Sequence, residues 1–104
     1  MSQMIKESPI SAFEGEILPY TLTWQGASAL SSPTGFIYYK GADVSSAGFL
    51  TGSHSVSGNV QTLKTITFAT AWVGNYIDVY FKCVVDSNTE IRHVKIYVQK
   101  LGAS

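Results

Sequence analysis

The chain has 104 residues, 45% of them hydrophobic and only 13% charged, with seven basic and seven acidic side chains that cancel. That length suits one domain and leaves no room for two, so residues 1–104 are expected to form a single unit with its core over about 10–99 and short flexible termini. Zero net charge excludes the basic excess with which a nucleic-acid binder neutralises phosphates, and the low charge content means that Ser, Thr, Gly and Asn make the surface polar.

The opening residues 1–6 lack the continuous apolar stretch of a signal peptide, and no segment is long enough to span a bilayer. The expectation is a soluble chain that is not secreted by the general route. A leading strand is expected around residues 10–13. In residues 17–24, Leu18, Tyr20, Leu22 and Trp24 alternate with Pro19, Thr21 and Thr23, the period of a strand. Pro19 has no N–H to donate to a ladder and belongs near the start of that strand or on an edge. Residues 25–33 form a small polar loop, and residues 34–40 a short strand ended by Gly41. Residues 42–57 are weaker, with a brief edge strand at Phe49 and Leu50, and residues 52–59 have turn composition. In residues 60–69, Ile66 and Phe68 point one way and Thr65 and Thr67 the other. Leu63 is out of phase with Ile66, which predicts a bulge near Lys64 or a register that the pattern leaves open.

The clearest signal lies in the last third. Ile77, Val79, Phe81, Cys83 and Val85 alternate with Asp78, Tyr80, Lys82, Val84 and Asp86. Turn residues 86–89 follow, and then Arg92, Val94, Ile96 and Val98 alternate with His93, Lys95 and Tyr97, so the two runs should pair as an antiparallel hairpin. Helical periodicity is nearly absent. The fold class is all-β, expected as a two-sheet antiparallel β-sandwich of six to seven strands. The single cysteine, Cys83, cannot form an intramolecular disulfide and sits in an apolar strand as a core residue.

Candidate chemistry is sparse. His54 lies in a Ser-His-Ser loop and His93 faces outward on the last strand, and neither has a neighbouring histidine or cysteine to complete a metal site, so both are expected to be solvated surface residues. Glu14 and Glu16 are two residues apart, on one side of an extended segment rather than astride a bond, and are expected to solubilise the lead into a strand. No Gly-x-Ser-x-Gly, Walker or dinucleotide pattern occurs. The expectation is no catalytic residues, no metal and no cofactor.

The outward positions of the final hairpin are more informative. With Ile77, Val79 and Phe81 inward, Tyr80 and Lys82 face out beside His93, Lys95 and Tyr97. A neighbouring strand over residues 36–40 adds Tyr38 and Lys40 if Ile37 and Tyr39 are inward. If Phe36 and Tyr38 are inward instead, the patch shrinks to two tyrosines. Tyrosine offers a large, stiff contact surface and is enriched in interfaces, whereas lysine is depleted there. Such residues serve either as an interaction surface or as ordinary strand residues whose cross-strand stacking stabilises the sheet.

Gly74, Asn75 and Tyr76 before the strand from Ile77 resemble the corner that leads into strand F of immunoglobulin-like domains, where a tyrosine hydroxyl ties back to backbone. The resemblance makes Tyr76 that corner residue. Asp78 departs from the pattern, standing where antibody domains have a cysteine, and no Cys-Trp-Cys framework exists. From about Glu14 to Gln99 the chain resembles small immunoglobulin-like modules among the head, neck and tail proteins of tailed bacteriophages. The polar lead into residues 18–24, the turn at residues 57–60 before a Thr-rich strand, and the corner before the final hairpin carry that likeness. It implies a non-enzymatic structural or accessory virion protein, found in the virion or in host cytoplasm during assembly, that docks to itself or to a neighbouring capsid or tail protein. The alternative is a carbohydrate-binding or adhesive domain whose exposed tyrosines stack on glycan rings. Neither a nucleic acid nor a membrane is expected as partner.

Overall fold

The structure, a computed structural model, describes residues 3–4, 10–50 and 52–100. Strands form where β-branched and aromatic residues alternate with small polar ones. In chain order they are β1 (Gln3–Met4), β2 (Ile10–Phe13), β3 (Ile17–Leu18), β4 (Thr21–Trp24), β5 (Leu30–Tyr39), β6 (Ala42–Asp43), β7 (Ser55–Ser57), β8 (Val60–Thr62), β9 (Ile66–Thr67), β10 (Tyr76–Val85) and β11 (Asn88–Gln99). A single helical turn, α1 (Ser45–Gly48), follows β6, and a 3₁₀ turn spans Thr70–Trp72.

A five-stranded sheet has the order β2-β11-β10-β5-β6, a four-stranded sheet the order β1-β4-β8-β7, and β3 pairs with β9 alone. All the pairings are antiparallel except β2 with β11, which run parallel. The expected hairpin is β10 and β11, in unbroken register from Tyr76 opposite Tyr97 to Val85 opposite Asn88. Its turn is shorter than expected. Asp86 and Ser87 alone make it, both at positive φ, as the two-residue turn that matches strand twist requires.

The fold is all-β as expected, but its strands outnumber the six or seven foreseen, because two extended segments are interrupted side by side and because β1, β6 and β7 add short strands of their own. Pro19 breaks residues 17–24 into β3 and β4, and residues 63–65 break the facing segment into β8 and β9. The phase change expected near Lys64 falls there: Gln61 and Leu63 are buried on one side of the break, Ile66 and Phe68 on the other. Three further expectations are corrected. The loop over residues 25–33 ends early, because β5 begins at Leu30 through a kink at Ser32 (φ 51°) that leaves Leu30 and Ser31 paired with β10. Phe49 makes only an isolated bridge to Ile66. The turn-like residues 52–59 contain β7, which pairs with β8 around Gly58 and Asn59.

One apolar core lies between the two layers. Leu22, Trp24 and Ile66 come from the smaller sheets, Leu63 and Phe68 from the residues that directly follow β8 and β9, and Ile37, Ile77, Val79, Phe81, Val94, Ile96 and Val98 from the large sheet. Cys83 is free and buried among them. Gly35 faces this core from β5 at a point where a Cβ would collide with Leu63, so the layers approach closely because that position carries no side chain. The two layers are also tied by one polar side chain. Gln61, fully buried on β8, donates its amide to Thr34 O at 3.0 Å and Lys82 O at 2.9 Å. Those carbonyls flank the place where the register of β5 and β10 slips, between Lys82 and Val84, so Gln61 satisfies acceptors beside a break in the ladder.

Candidate functional site

With Ile37, Val79 and Val94 buried, strand parity turns Phe36, Tyr38, Asp78, Tyr80, His93 and Lys95 to the outside of the large sheet. The strand phase that keeps Tyr38 outward is therefore the one adopted. Register places them in cross-strand rows: Tyr76 beside Tyr97, Asp78 between Lys95 and Tyr38, Tyr80 between His93 and Phe36, and Lys82 between Ile91 and Thr34.

The side chains of these rows touch. Tyr80 stacks on the His93 ring with centroids 4.8 Å apart and meets Tyr38 edge to face at 5.7 Å. His93 Nε2 donates to Asp78 Oδ1 at 2.8 Å, which holds the imidazole flat against Tyr80. At the far end Tyr76 leans on Tyr97 at 5.2 Å, and the Lys95 ammonium lies 5.8 Å from the Tyr76 ring centre, a cation–π distance. Phe36, Tyr38, Tyr80 and Ile91 line a shallow apolar groove of about 350 Å³. Ile91 is 51% exposed and Tyr76 45%, so this face leaves large apolar side chains in solvent.

Of the residues singled out from sequence, Tyr38, Tyr80, Lys82, His93, Lys95 and Tyr97 share this face. Lys40 does not. The strand ends at Tyr39, Lys40 enters the turn at φ 52°, and its ammonium folds back over the Tyr39 ring at 5.5 Å. Tyr76 stands on the face rather than tying the corner backbone. The hydroxyl that reaches the corner belongs to Tyr39, which donates to Ala71 O at 3.1 Å and accepts from Asn75 Nδ2 at 3.3 Å. Two members were not foreseen, Phe36 and Ile91. The parity of Tyr38 implies the first, and extending the alternation of the last strand one step before Arg92 implies the second.

The remaining polar groups have structural partners. His54 is half-buried rather than solvated: its Nδ1 accepts the Lys64 N–H at 3.0 Å and its ring meets Phe49 edge to face at 5.0 Å. Burial, and then the positive charge of Lys64, lower its pKa, so the neutral ring lines a polar cleft of about 510 Å³ with Asp43, Ser46 and Lys64. Glu16 Oε1 accepts the Phe13 N–H at 2.7 Å across the turn between β2 and β3. Burial pushes the Cys83 thiol up, outweighing its contacts with Ser31 O and Val84 O. Among the described residues no group of three or more His, Cys, Asp or Glu side chains is placed to hold a metal ion, and no helix is long and apolar enough to cross a membrane. Chemically the outer face offers aromatic surface, charged side chains and hydrogen-bonding phenols, groups suited to recognition.

No protein-family model matches the chain, and no curated protein matches its sequence.

Proposed function

We propose that this chain is a non-enzymatic interaction module with an immunoglobulin-like fold, which docks to protein through the outer face of its large sheet. The continuous aromatic surface of β5, β10 and β11, with its groove between Phe36, Tyr38, Tyr80 and Ile91, is the observation that carries this reading. Buried aromatic anchors ringed by polar groups dominate the energetics of protein interfaces, and this face supplies both.

The strand order supports the fold assignment. The order β1-β4-β8-β7 follows the A-B-E-D pattern of immunoglobulin-like sandwiches, and β11-β10-β5 follows G-F-C, with β6 as the extra edge strand of the variable type. Together with the resemblance to phage head, neck and tail modules, this makes a structural or accessory virion protein the proposed setting. Low, balanced charge suits close packing against other subunits, because little long-range repulsion opposes it. The glycan-binding alternative has less support, since Tyr38 and Tyr80 meet at 85° and do not form a flat platform for sugar rings.

Sedimentation or native mass spectrometry of the chain, alone and with purified particles, tests the proposal. The expected result is an oligomer or a stable complex with another virion protein, weakened in the variant carrying both Tyr80→Ala and Tyr97→Ala. A strict monomer absent from purified particles overturns it.

A further inference from the structure

We propose that the partner of this face is a second copy of the chain, docked face to face about a two-fold axis lying along the row Phe36, Tyr80 and His93. This rests on the outer face being the docking surface and adds what docks there and in which orientation.

The pattern along the strands decides the orientation. Asp78 and Lys82 stand two residues either side of Tyr80 on β10, and both are outward. Rotation by 180° about the cross-strand row reverses strand direction while keeping each strand over its own copy. Asp78 then meets Lys82 of the second copy, and Lys82 meets the second copy's Asp78. The same rotation sets the large rings at one end over small side chains at the other. Tyr76 faces Val84 of the second copy, and Tyr97 faces the second copy's Thr89, since Tyr97 and Thr89 lie four residues either side of His93 on β11. Lys95 lays its aliphatic stem over the exposed Ile91 of the second copy. The axis row itself brings Phe36, Tyr80 and His93 against their own equivalents, an aromatic centre of the kind that anchors interfaces.

A two-fold axis running along β10 gives the opposite outcome. It sets Asp78 against Asp78 and Lys82 against Lys82, two like-charge contacts, and drives Tyr76 toward Tyr76. Charge and size therefore both favour the cross-strand axis, and both complementarities are written within one surface, as an isologous contact requires.

Sedimentation of four proteins tests this: wild type, Asp78→Lys, Lys82→Asp and the variant carrying both. Wild type is expected to dimerise, and each single reversal to weaken association about tenfold or more by placing like charges together. The double variant should recover the wild-type affinity. Mixing the two single variants should give a heterodimer, because each then carries the charge that the other needs, and this also shows that both are folded. A dimer indifferent to the single reversals, or one that neither the double variant nor the mixture restores, overturns the proposed axis. A wild-type monomer at its highest soluble concentration overturns the second copy as partner, while the docking face stands or falls separately by the Tyr80→Ala and Tyr97→Ala test against particles.

Discussion

The indole N–H of Trp24 donates to Gln61 Oε1 at 3.0 Å, and both residues are completely buried. Gln61 in turn donates to backbone on β5 and β10, so the largest core side chain of one layer is fastened through a single amide to the interrupted ladder of the other. Above Trp24, the Arg92 guanidinium lies 5.1 Å from its ring and pairs with Glu90 at 2.9 Å, closing that end of the core.

Replacing Gln61 with Leu fills the space but takes away the amide that serves three groups: the buried Trp24 N–H and the half-buried Thr34 and Lys82 carbonyls. Each orphaned group costs about 1–3 kcal/mol, so the expected destabilisation is about 3 kcal/mol or more by urea unfolding. A loss below about 1 kcal/mol would mean that the layers do not depend on this amide.

The corner before β10 is tied by Tyr39 and not by Tyr76. Removing the hydroxyl in Tyr39→Phe breaks its bonds to Ala71 O and Asn75 Nδ2 and is expected to cost about 1 kcal/mol. Tyr76→Phe, with its ring outside on Tyr97, should change stability by less than about 0.5 kcal/mol. Thermal unfolding of the two variants side by side checks the assignment, and the reverse order would refute it.

At the tip of the β10–β11 hairpin, Asp86 has φ 49° and its carboxylate accepts the N–H groups of Ser28 at 3.0 Å and Ala29 at 2.8 Å. Asp86→Ala loses both bonds and puts a Cβ without local support in the left-handed region, for an expected cost of about 2 kcal/mol. Asp86→Gly loses the bonds but not the backbone freedom, and should fall between wild type and alanine. If glycine is no better than alanine, the left-handed backbone is not what Asp86 is chosen for.

Acid should loosen the β7–β9 side of the fold through His54. Its folded pKa lies below the ordinary value near 6.5, because burial and the Lys64 charge disfavour the imidazolium. The unfolded chain therefore takes up the proton first. Stability is full above the unfolded pKa, declines as pH falls through it, and stops declining on this account only below the folded pKa. Protonation also removes the acceptor for the Lys64 N–H. Urea midpoints measured from about pH 7.5 down to about pH 5 should fall more steeply for wild type than for His54→Gln. Equal slopes would exclude His54 as the source.

Much of this architecture was legible where burial is one-sided and continuous. Residues 77–85 and 92–98 alternate without a fault because β10 and β11 pair with each other in unbroken register, with the core on one side only. The phase slip between Leu63 and Ile66 was visible for the same reason. What composition could not reveal were features made by distant partners. Gln61 reads as a surface residue, since the Trp24, Thr34 and Lys82 groups that permit its burial come from three other strands. His54 reads as a loop residue until Lys64 and Phe49 fold over it. On the outer face, parity placed most of the aromatic residues, but Lys40 was lost to a turn whose positive φ no alternation pattern announces.

The parallel pairing of β2 with β11, from Ile10 beside Ile96 to Phe13 beside Gln99, also has a mechanical meaning. Tension drawn backward through residue 10 and forward through residue 99 pulls these two strands in opposite directions along their length. Their hydrogen bonds are loaded together in shear rather than peeled one at a time, as they would be in a hairpin pulled at its open end. A chain strained along its length would therefore yield at this seam only when the whole row gives way at once.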